Sequence, residues 1–332
     1  MSEAVRIVGG GVAACCCASL LAKAGHQVFA DVPVRAGSPV LMLSEQTQLL
    51  LSDVFGGQQM FEGAARITKR VVAWGDSEPV VLPHSGLVMA ESTLLARLWP
   101  SVPLETDNSD SACWKVIAST QALTGVSQHE FGSRVASTNS IELASDASSD
   151  SCWVESVSNG WLFLIPCGAR RGSLISVGAS AETLLKESRL VAKQIGELGS
   201  STGSFPAYPR IVLPLGGSGW IACGTAAIAF DPLAGEGAGN ALREGILASA
   251  VIRAALQGGK AEDLLAHYSN RMLSGFLRHI QECRRFYTAV NGQWWQAEAA
   301  LMKQGVDWAQ ASLASAPKTF FRLVGFELQA CY

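Results

Sequence analysis

The sequence predicts an α/β fold in which a parallel-sheet unit is interrupted by a β-rich segment and followed by a helical tail. Three observations predict it. Residues 5–32, VRIVGGGVAACCCASLLAKAGHQVFADV, read as strand, glycine turn, helix and second strand. Residues 218–256 repeat a strand, a glycine-rich loop and a long helix far down the chain. Between them, residues 131–211 hold short β-rich runs separated by regular turns, which suits an antiparallel sheet.

In the first element Val5-Arg6-Ile7-Val8 is the strand, and GGGVAA follows directly with the spacing G-x-G-x-x-A. Gly9 permits the tight turn, Gly11 lets the backbone approach a pyrophosphate, and Ala14 keeps helix close to strand. Val12, Ala13 and Ala14 open a helix whose free N–H groups and positive dipole end suit phosphate. Gly25 ends that helix, and HQVFADV is the second strand. This order predicts dinucleotide binding. Counting from Gly9, the usual ribose-binding acid falls at Val32, one place after Asp31. Strand alternation turns Asp31 to the other face unless the strand's end brings it round. Asp31 is the candidate ribose ligand.

The composition narrows the function classes. Of 332 residues, 48% are hydrophobic and 16% charged, so most of the chain is expected to fold. A net charge of -3 without a Lys/Arg block argues against a nucleic-acid partner. Neither a secretory leader nor a transmembrane segment is expected, because no uncharged run reaches roughly 18–20 residues. The nine cysteines form no C-x-x-C pair, and Cys15, Cys16 and Cys17 point in different directions on a helix. Buried, reduced thiols in a cytoplasmic protein are the expectation, with no metal site.

The second element chooses between dinucleotides. Trp220-Ile221-Ala222-Cys223 is a strand, and GTAAIAFDPLAGEGAGNA feeds a helix with Gly237, Ala241 and Gly245 on one face. Asp231-Pro232 and Gly235-Glu236-Gly237 resemble the second FAD motif of flavoproteins of the p-hydroxybenzoate hydroxylase type. The G-E-G-x-x-x-A-x-x-x-G version is similar to the geranylgeranyl-reductase branch. The resemblance implies a Rossmann-like FAD-binding domain, a β-rich substrate domain and non-covalent FAD. It places Gly224, Thr225, Asp231, Pro232, Gly235, Glu236 and Gly237 at the cofactor. Thr225 stands where relatives carry the acid of a Gly-Asp pair, which weakens that contact. A helix N-terminus aimed at the flavin pyrimidine would stabilise the reduced ring.

The implied division gives residues 1–70, 91–125 and 212–257 to the FAD domain. Residues 71–90 and 126–211 form the substrate domain, and 258–332 the helical C-terminal region. A helix is expected from Glu91 with Ser92 as its cap. GWLFLIP, residues 160–166, resembles the W-x-W-x-I-P signature of tryptophan halogenases, with Phe163 replacing the second Trp. Those enzymes need a lysine soon after the first FAD unit, and none occurs from Val32 to Arg66, so halogenation is not expected.

The resemblance therefore implies a FAD-dependent oxidoreductase, first a monooxygenase acting on an aromatic or apolar substrate. Halogenase-like flavoproteins also include enzymes that hydroxylate tryptophan in a partner protein during quinone cofactor maturation. Alternatives are a flavin-dependent alkene reductase of the geranylgeranyl-reductase type and a degenerate flavoprotein serving as a binding subunit. NAD(P)H without its own domain, or a separate reductase, would supply electrons. His84, Glu91 and Tyr208 flank the crossings to and from the substrate sheet and are the candidate catalytic side chains. Trp161, Phe163 and the tail are the expected aromatic lining of the substrate pocket.

Overall fold

A computed structural model describes residues 4–32, 38, 40–105 and 114–331. In chain order it begins with β1 (Ala4–Val8), α1 (Val12–Lys23), β2 (Gln27–Asp31), β3 (Leu41–Ser44) and α2 (Glu45–Phe55). There follow β4 (Ala65–Ala73), β5 (Val80–Met89), α3 (Glu91–Leu98), β6 (Trp114–Ile117) and β7 (Ser127–Glu130). The excursion continues with β8 (Val135–Leu143), β9 (Ser151–Val157), β10 (Gly160–Gly168), β11 (Arg171–Gly178), α4 (Ala181–Glu187) and β12 (Ile195–Pro206). The chain returns through β13 (Arg210–Leu213), β14 (Gly216–Gly217), β15 (Trp220–Ala222) and β16 (Ile228–Ala229). It closes with α5 (Gly237–Leu256), α6 (Ala261–Thr288), α7 (Gln293–Ser315), β17 (Phe321–Val324) and β18 (Glu327–Ala330).

The first sheet has five strands in the order β14-β15-β6-β1-β2. Strands β2, β1, β6 and β15 run parallel, so their C-terminal ends and the turns that follow share one edge. Helices α1 and α5 meet at small residues. A Cβ on Gly245 would lie 2.6 Å from the Ala13 carbonyl oxygen and 3.0 Å from the Cys16 Cβ. Cys15, Cys16 and Cys17 are fully buried there, and burial raises all three thiols well above their ordinary range. The described cysteines are free thiols.

The second sheet has eight strands in the order β12-β8-β11-β10-β9-β4-β5-β3. Its pairing runs across the expected boundary at residue 70. Strand β4 pairs with β5 from Ala65 to Val72 and with β9 from Lys69 to Ala73, and β3 pairs with β5, so both belong to this sheet. A three-stranded sheet, β16-β13-β7, bridges the return. The tail is helical through Ser315 and then forms the β17–β18 hairpin, which Arg253 of α5 fastens by bonds to the Phe326 carbonyl and the Glu327 carboxylate. No helix among the described residues is long and apolar enough to cross a membrane.

Candidate cofactor and substrate site

The first glycine turn sits at the end of β1, against the end of β6. Gly9 has φ +136°, and a Cβ there would lie 2.9 Å from the Ala118 carbonyl carbon, so only glycine fits. Its N–H donates to the Asp31 carbonyl at 2.9 Å, joining the ends of β1 and β2. Gly11 caps α1 without any side-chain bond, and no acid stands in the first turn. The first helical bond runs from the Cys15 N–H to the Gly11 carbonyl, so the N–H groups of Val12, Ala13 and Ala14 lie ahead of it. Such a terminus offers donors and positive dipole to an anion.

Beside this turn is a cleft of about 420 Å³ lined by Val8, Asp31, Val32, Ser119, Gln121 and Ala122. Asp31 and Val32 both line it, because β2 ends at Asp31 and alternation no longer governs the next residue. The Asp31 carboxylate is half exposed and paired with Arg6 Nη1 at 3.1 Å, a partner the sequence did not suggest.

The second glycine turn leans on the first. Gly224 has φ +61°, and a Cβ there would come within 3.1 Å of the Ala13 Cβ. Thr225 is exposed in the short turn that follows, and its carbonyl accepts from Arg210 Nη2 at 3.4 Å. Pro232 opens a single 3-10 turn that Gly235 closes in the left-handed region at φ +68°. A Cβ on Gly235 would meet Met42 Cε at 3.0 Å, Arg70 Nη2 at 3.5 Å and Phe163 Cε1 at 3.7 Å. Glu236 caps α5 by position, and its Oε2 accepts from Ser44 Oγ at 3.3 Å and Thr47 Oγ1 at 3.4 Å. A Cβ on Gly237 would meet nothing within 4 Å, so this helix start faces open space.

Asp231 behaves differently. Its Oδ2 accepts from Arg134 Nη2 at 2.6 Å, Arg134 Nε at 2.9 Å and the Tyr287 hydroxyl at 2.9 Å. Its Oδ1 takes the Leu233 N–H at 2.8 Å, and its own N–H donates to His279 Nε2 at 2.8 Å. Arg134 also binds Glu298 Oε2 at 2.6 Å and lies over the Tyr287 ring, 4.6 Å from its centroid. The Asp231 carboxylate thus belongs to a sealed network that ties the Asp231–Pro232 loop to Arg134 just before β8, to α6 and to α7. Burial, opposed by the Asp231 charge, lowers His279 to about 4, which suits a neutral acceptor. Trp161 belongs to the same interior: it is fully buried and its Nε1 donates to the Tyr287 hydroxyl at 2.9 Å. It therefore does not line a pocket, since both faces of β10 are covered.

A second cluster faces Gly235 from the eight-stranded sheet. Met42 of β3, Arg70 of β4, His84 of β5 and Phe163 of β10 meet there, with the Arg70 guanidinium 5.7 Å from the Phe163 ring centroid. Gly86 leaves the space the imidazole occupies, since a Cβ on it would be 3.0 Å from His84 Nε2. His84 Nε2 and Arg70 Nε are buried without a partner among the described residues. Burial and Arg70 lower the His84 pKa, and Glu236 opposes them.

The other two catalytic candidates lie elsewhere. Glu91 is buried at the start of α3, where its Oε2 accepts the Ser38 N–H at 2.7 Å. The cap position is Ala90, and the expected cap Ser92 lies inside the helix. Tyr208 donates to Glu130 Oε1 at 3.1 Å on the three-stranded sheet.

No family model matches the sequence, and no curated protein matches it. Solved structures do. The peptidyl tryptophan dihydroxylase QhpG, essential for tryptophylquinone cofactor biogenesis, superposes with a TM-score of 0.75 at 20% identity, over 90% of this chain and 79% of that one. The myxobacterial chondrochloren halogenase CndH, a FAD-dependent halogenase, gives 0.71 at 15% identity, over 94% and 91%. A single-residue variant of Klebsiella pneumoniae HpxO, complexed with FAD, gives 0.65 at 14% identity, over 95% and 99%. The chain has the fold of these flavoenzymes, a Rossmann-like α/β domain interrupted by a β-rich one.

Proposed function

We propose that the chain is a FAD-dependent oxidoreductase, and specifically a monooxygenase for an aromatic or apolar substrate. The observation that carries this reading is the convergence of two glycine turns on one helix start. Gly224 and Gly245 both press on Ala13, and Gly9 on Ala118, so each place a Cβ would fill is left to backbone. The residues fit the dinucleotide. The turn from Gly9 to Gly11, with Val12, Ala13 and Ala14, would take the pyrophosphate on the α1 terminus. Asp31 would exchange Arg6 for the ribose hydroxyls. Gly224 and Thr225 would flank the ribityl chain, and Gly235, Glu236 and Gly237 would set backbone and the positive end of α5 against the ring. Asp231 and Pro232 would shape that loop from behind.

Bound FAD would supply the redox chemistry, taking electrons from NAD(P)H or a separate reductase and passing them to oxygen. The chain's own part is placement and exclusion of water. Met42 and Phe163, both buried, would support the Gly235 loop from the side of the eight-stranded sheet, while His84 and Arg70 offer the two unpartnered nitrogens to a polar edge of the substrate. His84, kept neutral, would accept a hydrogen bond from a ring N–H or O–H. A tryptophan of a partner protein is one such substrate, in keeping with the likeness to QhpG. The buried thiols agree with a reducing cytoplasm.

The test is reduction of the FAD-loaded protein without oxygen, followed by oxygen and indole or phenol compounds, with dissolved oxygen and product mass recorded. Oxygen consumption with transfer of one oxygen atom to the aromatic is expected. Hydride transfer to an alkene from a reduced flavin inert to oxygen would replace this reading with the alkene reductase. Failure to hold flavin would leave a binding subunit.

A further inference from the structure

The second glycine turn rests on a carboxyl group that the cofactor reading leaves unused. Glu244 lies two turns into α5 and is 7% exposed. The Gly224 N–H donates to its carboxyl, and its Oε2 is buried with no partner among the described residues.

The titratable groups facing it from the packed elements are Cys223 after β15 and Tyr268 of α6, and Cys17 of α1 lies beside those two. All are buried, and burial raises each of them far above its ordinary range, so none carries charge at neutral pH. The Tyr268 hydroxyl donates to the Ala222 carbonyl at 2.6 Å rather than to Glu244. The nearby cations turn elsewhere: Arg243 to Asn240 on the exposed side, and Lys23 to the Val54 carbonyl.

A carboxylate with a single hydrogen bond and no counter-ion would be costly in such a place, and the neutral acid is the favoured form. Burial pushes this carboxyl up to about 8, although the Gly224 N–H bond by itself favours the charged form. Its position gives that neutrality a consequence. Gly224 touches Ala13 in the first turn of α1, and Gly245, the residue after Glu244, presses on the Ala13 carbonyl. The acid therefore stands behind the junction of both cofactor turns.

We propose that Glu244 is a positioning residue for FAD, a neutral acid that holds the Gly224 turn and whose ionisation opens that turn and releases the cofactor. This rests on the FAD reading. An ionised Glu244 must draw water or shift away, and either movement displaces Gly224 from Ala13.

The experiment is FAD titration of the full chain by flavin fluorescence at several pH values, with E244Q and E244A alongside. In the wild type the Kd should be level at neutral pH and rise about tenfold per unit above roughly pH 8. E244Q, which accepts the same Gly224 bond without titrating, should give a Kd that does not follow pH, and E244A a weaker one that also does not. Infrared spectra of the FAD-free protein should show a protonated carboxyl stretch at neutral pH that is absent in E244Q.

Identical pH profiles in wild type and E244Q, or no protonated carboxyl at neutral pH, would overturn the proposal while leaving FAD binding intact. Failure of wild type and both variants to bind FAD at any pH would instead overturn the FAD reading, and this coupling with it.

Discussion

The cleft at the end of β2 and the loop at Asp231 each hold an acid paired with an arginine, yet the two pairs are opposites. At Arg6–Asp31 the side chains are 14% and 52% exposed, and at Arg134–Asp231 both are 0% exposed. An exposed pair is worth about 0–1 kcal/mol, because water competes for both partners. Asp31 can therefore leave Arg6 for a ligand at little cost. A buried pair cannot be exchanged that way, because either partner left alone is an unsolvated charge. Two acids that read alike beside two cofactor motifs thus have different work: one is available to a ligand, and the other holds the loop in shape.

The largest expected effect breaks the sealed side. Arg134→Met leaves Asp231 and Glu298 buried without their cation and should cost about 3–5 kcal/mol in urea unfolding. Arg6→Met should cost less than about 1 kcal/mol in the same assay. Equal losses would erase the distinction between the two pairs.

Acid probes the same network. His279 accepts the Asp231 N–H and is lowered from an ordinary 6.5 to about 4. A depressed folded-state value means that its contribution is present above pH 6.5 and is lost as pH falls through about 4. The loss is on the order of 3 kcal/mol. His279→Gln should flatten that part of the stability–pH curve, and an unchanged curve would remove His279 from the account.

On the open side, Gly9→Val puts a side chain into the Ala118 backbone, 2.9 Å from where its Cβ would stand. FAD affinity should fall at least about a hundredfold, or roughly 2.7 kcal/mol, as read by flavin fluorescence. The smallest effect is expected for Asp31→Asn. A hydrogen bond loses only its charge there, so FAD affinity should weaken by about tenfold or less, near 1 kcal/mol. A total loss at Asp31 would mean that the acid holds more than a ribose hydroxyl.

Much of this arrangement was legible in the sequence where the requirement is local. The glycines at 9, 224 and 235 answer a backbone need, positive φ or close approach, that a single position can express. Strands β8 to β11 show in their composition and turn spacing. What was not legible depends on distant partners. Arg134 meets Asp231 97 residues away and Glu298 164 residues away, and no spacing announces either meeting. The side-chain partners of Asp231 were consequently out of reach. Trp161 looked like a pocket wall because an aromatic strand says nothing about whether both of its faces are covered. The membership of β3 and β4 in the eight-stranded sheet was not legible either, since sheet membership is settled by pairing across the chain. The Arg70–His84 cluster was half visible: His84 stood out as a titratable group at a crossing, but Arg70 gains meaning only from Gly235 and Phe163 beside it.

The most direct measurement is the visible absorbance of freshly purified protein, before and after addition of FAD and removal of the excess. A flavin spectrum at one FAD per chain, released intact by heat and abolished in Gly9→Val, is the predicted result. A colourless, folded protein that takes up no FAD at neutral pH would contradict the central claim that the two glycine turns form one dinucleotide site.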